Sequence, residues 1–202
     1  MRVRFFLERF IRMGRQAERT KRRIVSAFTD LINEKKDVSK ISVRSIIDRA
    51  DISRSTFYTY YDGVDDLSES VAKMFGNDIC ELIGQAGISL QLEVDYEDIY
   101  YRILKYIKDR EQLAKVILLN YSNSNVTEAI SRPMRDLLAE YYKNSHPEAD
   151  DMVCQNAAIF WTYGIYGLAR DWVARDCKPE PNVKARILNK SIGISPKFKT
   201  DF

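Results

Sequence analysis

Apolar residues recur along this chain at helical spacing. Ile24, Ala27, Phe28, Leu31 and Ile32 fall at i, i+3, i+4, i+7 and i+8, one apolar face of a helix. Thr20 stands where its N-cap is expected. Val38 to Ile41 read as a short connection. Val43, Ile46, Ile47 and Ala50 repeat the spacing behind Ser42, whose hydroxyl can accept from a free amide of the first turn. This brief second helix runs into Ala50-Asp51-Ile52-Ser53, where Asp51 tolerates a left-handed backbone and Ser53 is a fresh N-cap. A third short helix is predicted from Arg54 to about Tyr61, with Phe57 and Tyr61 on one face, and Asp62-Gly63 reads as a turn.

The pattern continues to the C-terminus. Leu67, Val71, Met74, Phe75, Leu82 and Ile83 stripe a long fourth helix, with Asp65 and Asp66 at its positive dipole end. No Pro-, Gly- or Ser-rich linker separates the head from the body, so this helix is expected to join them rigidly. Tyr96, Ile99, Tyr100, Ile103, Leu104 and Ile107 predict one further helix. Leu113, Val116, Ile117 and Tyr121 predict a shorter one, and Ile130, Met134, Leu137, Leu138 and Tyr141 another, which His146-Pro147 closes. Glu148 to about Arg175 differs in kind. Ile159, Phe160 and Tyr163 make one apolar face, and Trp161, Ile165, Leu168 and Trp172 a second, so this helix must be buried on more than one side. Gly164 and Gly167 leave room for another backbone. Val183, Ile187, Leu188 and Ile192 suggest a last helix. The expected fold is all-α, about nine helices: a three-helix N-terminal head and a C-terminal helical bundle.

Charge sharpens this division. The 202 residues carry a net +3, but residues 1–60 hold 15 Lys or Arg against 7 Asp or Glu, a net +8, and the remainder a net −5. A basic head on an acidic body suggests that only the head meets a polyanion; a solvated charged surface is the plain alternative. Cys80, Cys154 and Cys177 are too far apart for a metal or disulfide framework and read as buried or inert thiols. No metal and no cofactor is expected. His146 is the single histidine, and no phosphate loop, nucleophile elbow or paired-carboxylate motif stands out, so an enzyme is not expected. No apolar run is long enough for a membrane span. The first residues make a poor signal peptide, so a cytoplasmic, nucleoid-associated protein is expected. Arginines alternate with aromatic residues before Met13, which reads as an alternative start. The domain division is then a basic arm over 1–19, a head over 20–66 and a body over 67–202.

Two short helices joined by a tight link and braced by a preceding helix match a helix-turn-helix. A helix entering the DNA major groove needs short exposed side chains near its N-terminus. Ser53, Arg54, Ser55 and Thr56 are of that kind: Arg54 can offer two donors to a guanine edge, and the hydroxyls can serve bases or phosphates. The run Ser42-Val43-Arg44-Ser45-Ile46-Ile47-Asp48-Arg49-Ala50-Asp51-Ile52-Ser53-Arg54-Ser55-Thr56-Phe57-Tyr58-Thr59-Tyr60-Tyr61, followed by Asp65-Asp66-Leu67, resembles the DNA-binding domain of TetR/AcrR-type transcriptional regulators. The resemblance covers residues 20 to 75. It implies phosphate contacts from Ser42, Arg44 and Tyr58, base or phosphate contacts from Arg54, Ser55 and Thr56, and a phosphate-facing Tyr60 where the family usually has histidine. Asp51 replaces the usual turn glycine, and Val64 replaces a lysine that commonly touches phosphate. Lys21, Arg22 and Arg23 offer compensating charge, either as a phosphate-contacting arm or as a solvated one. Arg54 as a surface arginine and Tyr58 or Tyr60 as packing residues remain the plain alternatives.

The resemblance also implies a homodimer formed through the last two helices and a body that encloses an effector. Trp161, Ile165, Leu168 and Trp172 are the expected dimer face, and Phe75, Ile103, Tyr121, Trp161 and Tyr163 the expected effector pocket. A core helix in a monomer and plain core aromatics are the alternatives. The segment from Trp161 to Trp172 is similar to the DhaS-like branch, some of whose members bind a protein instead. The expectation is a sequence-specific DNA-binding regulator, a dimeric repressor on a palindromic double-stranded operator, relieved by a small molecule. The alternative is a protein-binding adaptor or coactivator with a weakened DNA-binding head.

Overall fold

The computed structural model describes residues 2–85, 95–119 and 124–193, with side chains from Gln16 onward, and forms nine α-helices among them. By backbone contacts the chain divides into two compact units, Met1–Val71 and Ala72–Phe202.

In the first unit, α1 runs unbroken over Arg2–Lys35. Thr20, expected to cap a helix, lies inside it, and its hydroxyl donates to the Gln16 carbonyl at 3.0 Å. Only Gly14 upstream is a helix-weakening residue, and one glycine does not stop a helix. Ile24, Ala27, Phe28, Leu31 and Ile32 are all buried, as their spacing requires. A short 3-10 turn, Val38–Lys40, leads to α2, Val43–Ala50. Ser42 and Ser45 cap α2 reciprocally: each side chain accepts from the other's backbone N–H. The helix ends at Asp51, which adopts φ 49°, ψ 59° and donates its N–H to the Ile47 carbonyl. Arg23 of α1 holds this turn by donating to the Asp51 carbonyl at 2.7 Å and to its carboxylate at 3.3 Å. Arg49 makes a forked pair with Glu34 of α1, both bonds at 2.8 Å, which holds the Glu34 carboxyl below its ordinary range. The third helix, α3, spans Arg54–Tyr58 and is shorter than its pattern predicts, ending before Tyr61. Ile46, Phe57 and Tyr61 are buried beneath it.

Helix α4, Val64–Gln85, belongs to both units. The second unit continues with α5 (Tyr96–Asp109), α6 (Glu111–Leu119), α7 (Ser124–Ser145), α8 (Asp151–Ala174) and α9 (Pro181–Gly193). Its main packing pairs are α7 with α8, α5 with α9 and α6 with α8. Where α4 meets α7, Gly76 closes the gap: a Cβ there would lie 2.6 Å from the Ile130 carbonyl oxygen. Tyr106 of α5 donates its hydroxyl to Asp78 of α4 at 2.6 Å, with the Arg110 guanidinium over its ring. After α8 the chain turns back, so that Trp172 donates its indole N–H to the Pro179 carbonyl at 2.8 Å. Lys115 pairs with both Glu111 and Asp176, pinning that turn to α6. No described helix is long and apolar enough to cross a membrane.

Candidate nucleic-acid interface and effector cavity

The first unit places Arg54, Ser55, Thr56 and Tyr58 on α3, with Ser53 at its N-cap. Ser53 caps that helix, accepting from the Thr56 N–H at 3.0 Å. Arg54 and Ser55 are exposed in its first turn, and Tyr58 is 44% exposed. The Arg54 guanidinium lies 5.6 Å from the Tyr58 ring centroid, so the two side chains form one surface with a cationic edge. Arg54 has no carboxylate partner among the described residues. The hydroxyls of this helix are not independent. Ser53 Oγ lies 2.9 Å from Ser55 Oγ and 2.7 Å from Thr56 Oγ1. Thr56 is half-buried, which leaves it less to offer than Ser55. Tyr60 is half-buried just beyond α3.

The remaining predicted contacts stand on other elements. Ser42 and Arg44 are exposed at the start of α2, where Arg44 pairs loosely with Asp48 at 3.8 Å. Lys21 is exposed on α1, whereas Arg23 is occupied by Asp51. Thr59, which the motif reading passes over, is exposed beside Tyr58, with its hydroxyl donating to the Ser55 carbonyl.

The second unit holds a partly open cavity of about 480 Å³, a size that suits a drug-sized ligand. Its apolar wall includes Ile99, Ile103, Leu138, Trp161, Ile165 and Leu168. Its polar groups are Tyr96 and Tyr100 near the start of α5, Tyr141, Tyr142 and His146 near the end of α7, and Asn189 of α9. Burial raises the phenols of Tyr96 and Tyr100 above the usual tyrosine range and pushes Tyr142 up to about 12. A smaller chamber of about 50 Å³ shares Ile103, Ile107, Met134, Ile165 and Ala169 with the larger one.

The burial of Trp172 and the exposure of Tyr163 depart from the places expected for them on α8. Trp161, expected both in the pocket and against a partner, lines the large cavity, as do Ile165 and Leu168, expected against a partner; Leu168 also keeps 41% of its surface exposed. Trp172 is fully buried and has no surface for a partner; its N–H is satisfied within the unit. Tyr163, expected in the pocket, points the other way and is 44% exposed. Both corrections have one cause. Two apolar faces on one helix carry no mark of which is internal, and here the inner one is that of Ala158, Thr162, Trp172 and Val173. The outer face carries Met152, Val153, Ile159 and Phe160, and among the described residues nothing outside the helix's own adjacent backbone comes within 4 Å of a Cβ placed on Gly164 or Gly167. Phe75 lines the small chamber and Ile103 both, while Tyr121 lies outside the described residues. The sequence pattern does not reveal the ring of tyrosines. Their clustering at facing ends of α5 and α7 is a tertiary fact, and the only local signal is the i, i+4 pair Tyr96 and Tyr100 and the doublet Tyr141-Tyr142.

Residues 95–193 match a family model described as the C-terminal region of a transcriptional regulator. No curated protein gives a significant match. Solved structures do. A putative TetR-family regulator from Syntrophomonas wolfei is 13% identical with a TM-score of 0.66, covering 88% of this chain and 96% of its own. The regulator FadR from Bacillus subtilis, solved with stearoyl-CoA, is 16% identical with a TM-score of 0.58, covering 83% and 95%. The dihydroxyacetone kinase operon activator DhaS is 20% identical with a TM-score of 0.56, covering 86% and 94%. At these identities the likeness is one of fold, and it favours no branch. The match over residues 95–193 is thus to the C-terminal region of a transcriptional regulator, and the described chain shares the fold of solved TetR-family regulators.

Proposed function

We propose that the chain is a sequence-specific DNA-binding regulator that acts as a homodimer and releases its operator when a small molecule fills the body. The observation that carries this reading is the outward surface of α3, where Ser53, Arg54, Ser55 and Tyr58 stand exposed on a helix short enough for the major groove. Two supports come from the second unit. The outer face of α8 leaves Phe160 70% and Met152 68% exposed, beside two open glycines, a surface suited to a second copy. A two-fold assembly sets two recognition helices roughly 34–36 Å apart, one turn of DNA. The cavity supplies room for an effector, and FadR with stearoyl-CoA is a ligand-bound protein of this fold. Selection of genomic fragments by the purified protein, with sequencing of what is retained, tests the reading. Enrichment of a palindrome, lost in Arg54→Ala, is expected. Retention without any enriched sequence, abolished by salt alone, overturns it.

A further inference from the structure

The small chamber holds two polar groups that the fold does not explain. Ser131 of α7 and Thr162 of α8 are each 2% exposed, and their hydroxyls have no hydrogen-bond partner among the described residues. Within a helix such hydroxyls commonly donate to a carbonyl one turn back, as Thr29 and Ser68 do in this chain. An unpaired buried hydroxyl costs stability unless something else satisfies it. Both sit in an otherwise largely apolar wall whose other hydroxyl, that of Tyr166, already donates to the Leu118 carbonyl. Pro133 lies inside α7, two residues after Ser131, and has no N–H to give.

The chamber is not isolated. Met134, Ile103 and Ile165 line it on one side and the large cavity on the other, and the flexible thioether of Met134 can be displaced without breaking a polar contact. None of the described residues lining either cavity is Asp, Glu, Lys or Arg. His146 lines only the large cavity, so a ligand charge buried against Ser131 and Thr162 would have no counter-charge beside it, a heavy penalty. A hydroxyl or carbonyl, by contrast, finds two hydroxyls ready to donate or accept.

We propose that the two cavities form one site for an uncharged, elongated aliphatic alcohol or ketone, whose oxygen is held by Ser131 and Thr162 and whose apolar stem extends toward Trp161. This rests on the reading that the body takes a small-molecule effector. The site favours neutral over ionic head groups, and the inner hydroxyls set that choice.

The test is a titration of tryptophan emission in the full-length protein without DNA, at pH 7, with 1-decanol, 2-decanone, decanoate and decylammonium as probes. Trp161 lines the cavity and is one of only two tryptophans. The alcohol and the ketone are expected to bind at least about tenfold more tightly than either ion. The double variant Ser131→Ala/Thr162→Val replaces unpaired hydroxyls by groups of similar shape, so its fold is retained. It is expected to bind decanol and decanone about tenfold more weakly, with an unchanged or higher melting temperature without ligand. Equal or tighter binding of an ion overturns the proposal, as does binding of none of the four probes. Unchanged affinity in the double variant also overturns it, since the hydroxyls then serve only solvent. Failure here leaves the operator selection untouched, and failure of that selection leaves this titration untouched.

Discussion

Arg54 rests over the Tyr58 ring with its guanidinium turned to solvent. A guanidinium in that setting can form a forked pair with a guanine edge, which a lysine cannot. Arg54→Lys is therefore expected to keep general DNA affinity but lose about 1–3 kcal/mol of discrimination at one base position, read by anisotropy titration of matched and mutated operators. Equal discrimination by the lysine variant removes Arg54 from base reading. Asp51 adopts a positive φ, and Arg23 holds it there. Asp51→Val places a β-branched side chain in the left-handed region and is expected to lower stability by about 1–2 kcal/mol in urea unfolding. Asp51→Gly should be tolerated. The cysteines make a third case. Burial pushes Cys177 and Cys80 up to about 11 from an ordinary value of 9.0. Between those values the folded thiols keep protons that the unfolded chain gives up. Their stabilising share is thus full below pH 9 and is lost as pH rises toward 11. Alkylation of these two thiols in the native protein at pH 8 should run about a hundredfold slower than in the unfolded chain. Equal rates in the two states contradict their burial.

The helices show why some features are readable in the sequence and others are not. Helices α2, α4, α5 and α9 are legible because each has one apolar stripe and a local start or stop signal, such as Ser42 or Asp62-Gly63. The start of α1 is not, because Thr20 has the chemistry of a cap but sits in a stretch with nothing to break the helix before it. The role of Asp51 is legible in its turn chemistry, but its anchor is not, since Arg23 lies 28 residues away and looks like one more cation of a basic run. Helix α8 is legible as two-faced, yet its faces can be assigned only once Trp172 is seen closed under Pro179. Gly76 shows the same limit. Nothing local marks it, but at 2.6 Å from the Ile130 carbonyl a Cβ must push α4 and α7 apart. Gly76→Ala is expected to lose about 1–3 kcal/mol despite the better helix propensity of alanine. A melting temperature equal to the parent's contradicts so close an approach.

For the molecule as a whole, the exposed apolar face of α8 bears on assembly. Phe160→Glu places a charge where a second copy is expected to pack, and light scattering should show the parent as a dimer and the variant as a monomer at micromolar concentration. A parent that is monomeric under those conditions removes the two-fold reading of the operator. In such an assembly the hydroxyl cluster of α3 occurs twice. Either member of the Ser53–Ser55 and Ser53–Thr56 pairs can be the donor, so the cluster can reverse its protons without moving a heavy atom. Opposite a base edge such hydroxyls can then present a donor or an acceptor. Such a surface carries little information, and each half-site should be strict at the Arg54 position and permissive beside it. On the proposed reading, such a regulator would recognise a set of related operators rather than a single word, and its reach across a genome would depend on one guanidinium per protomer.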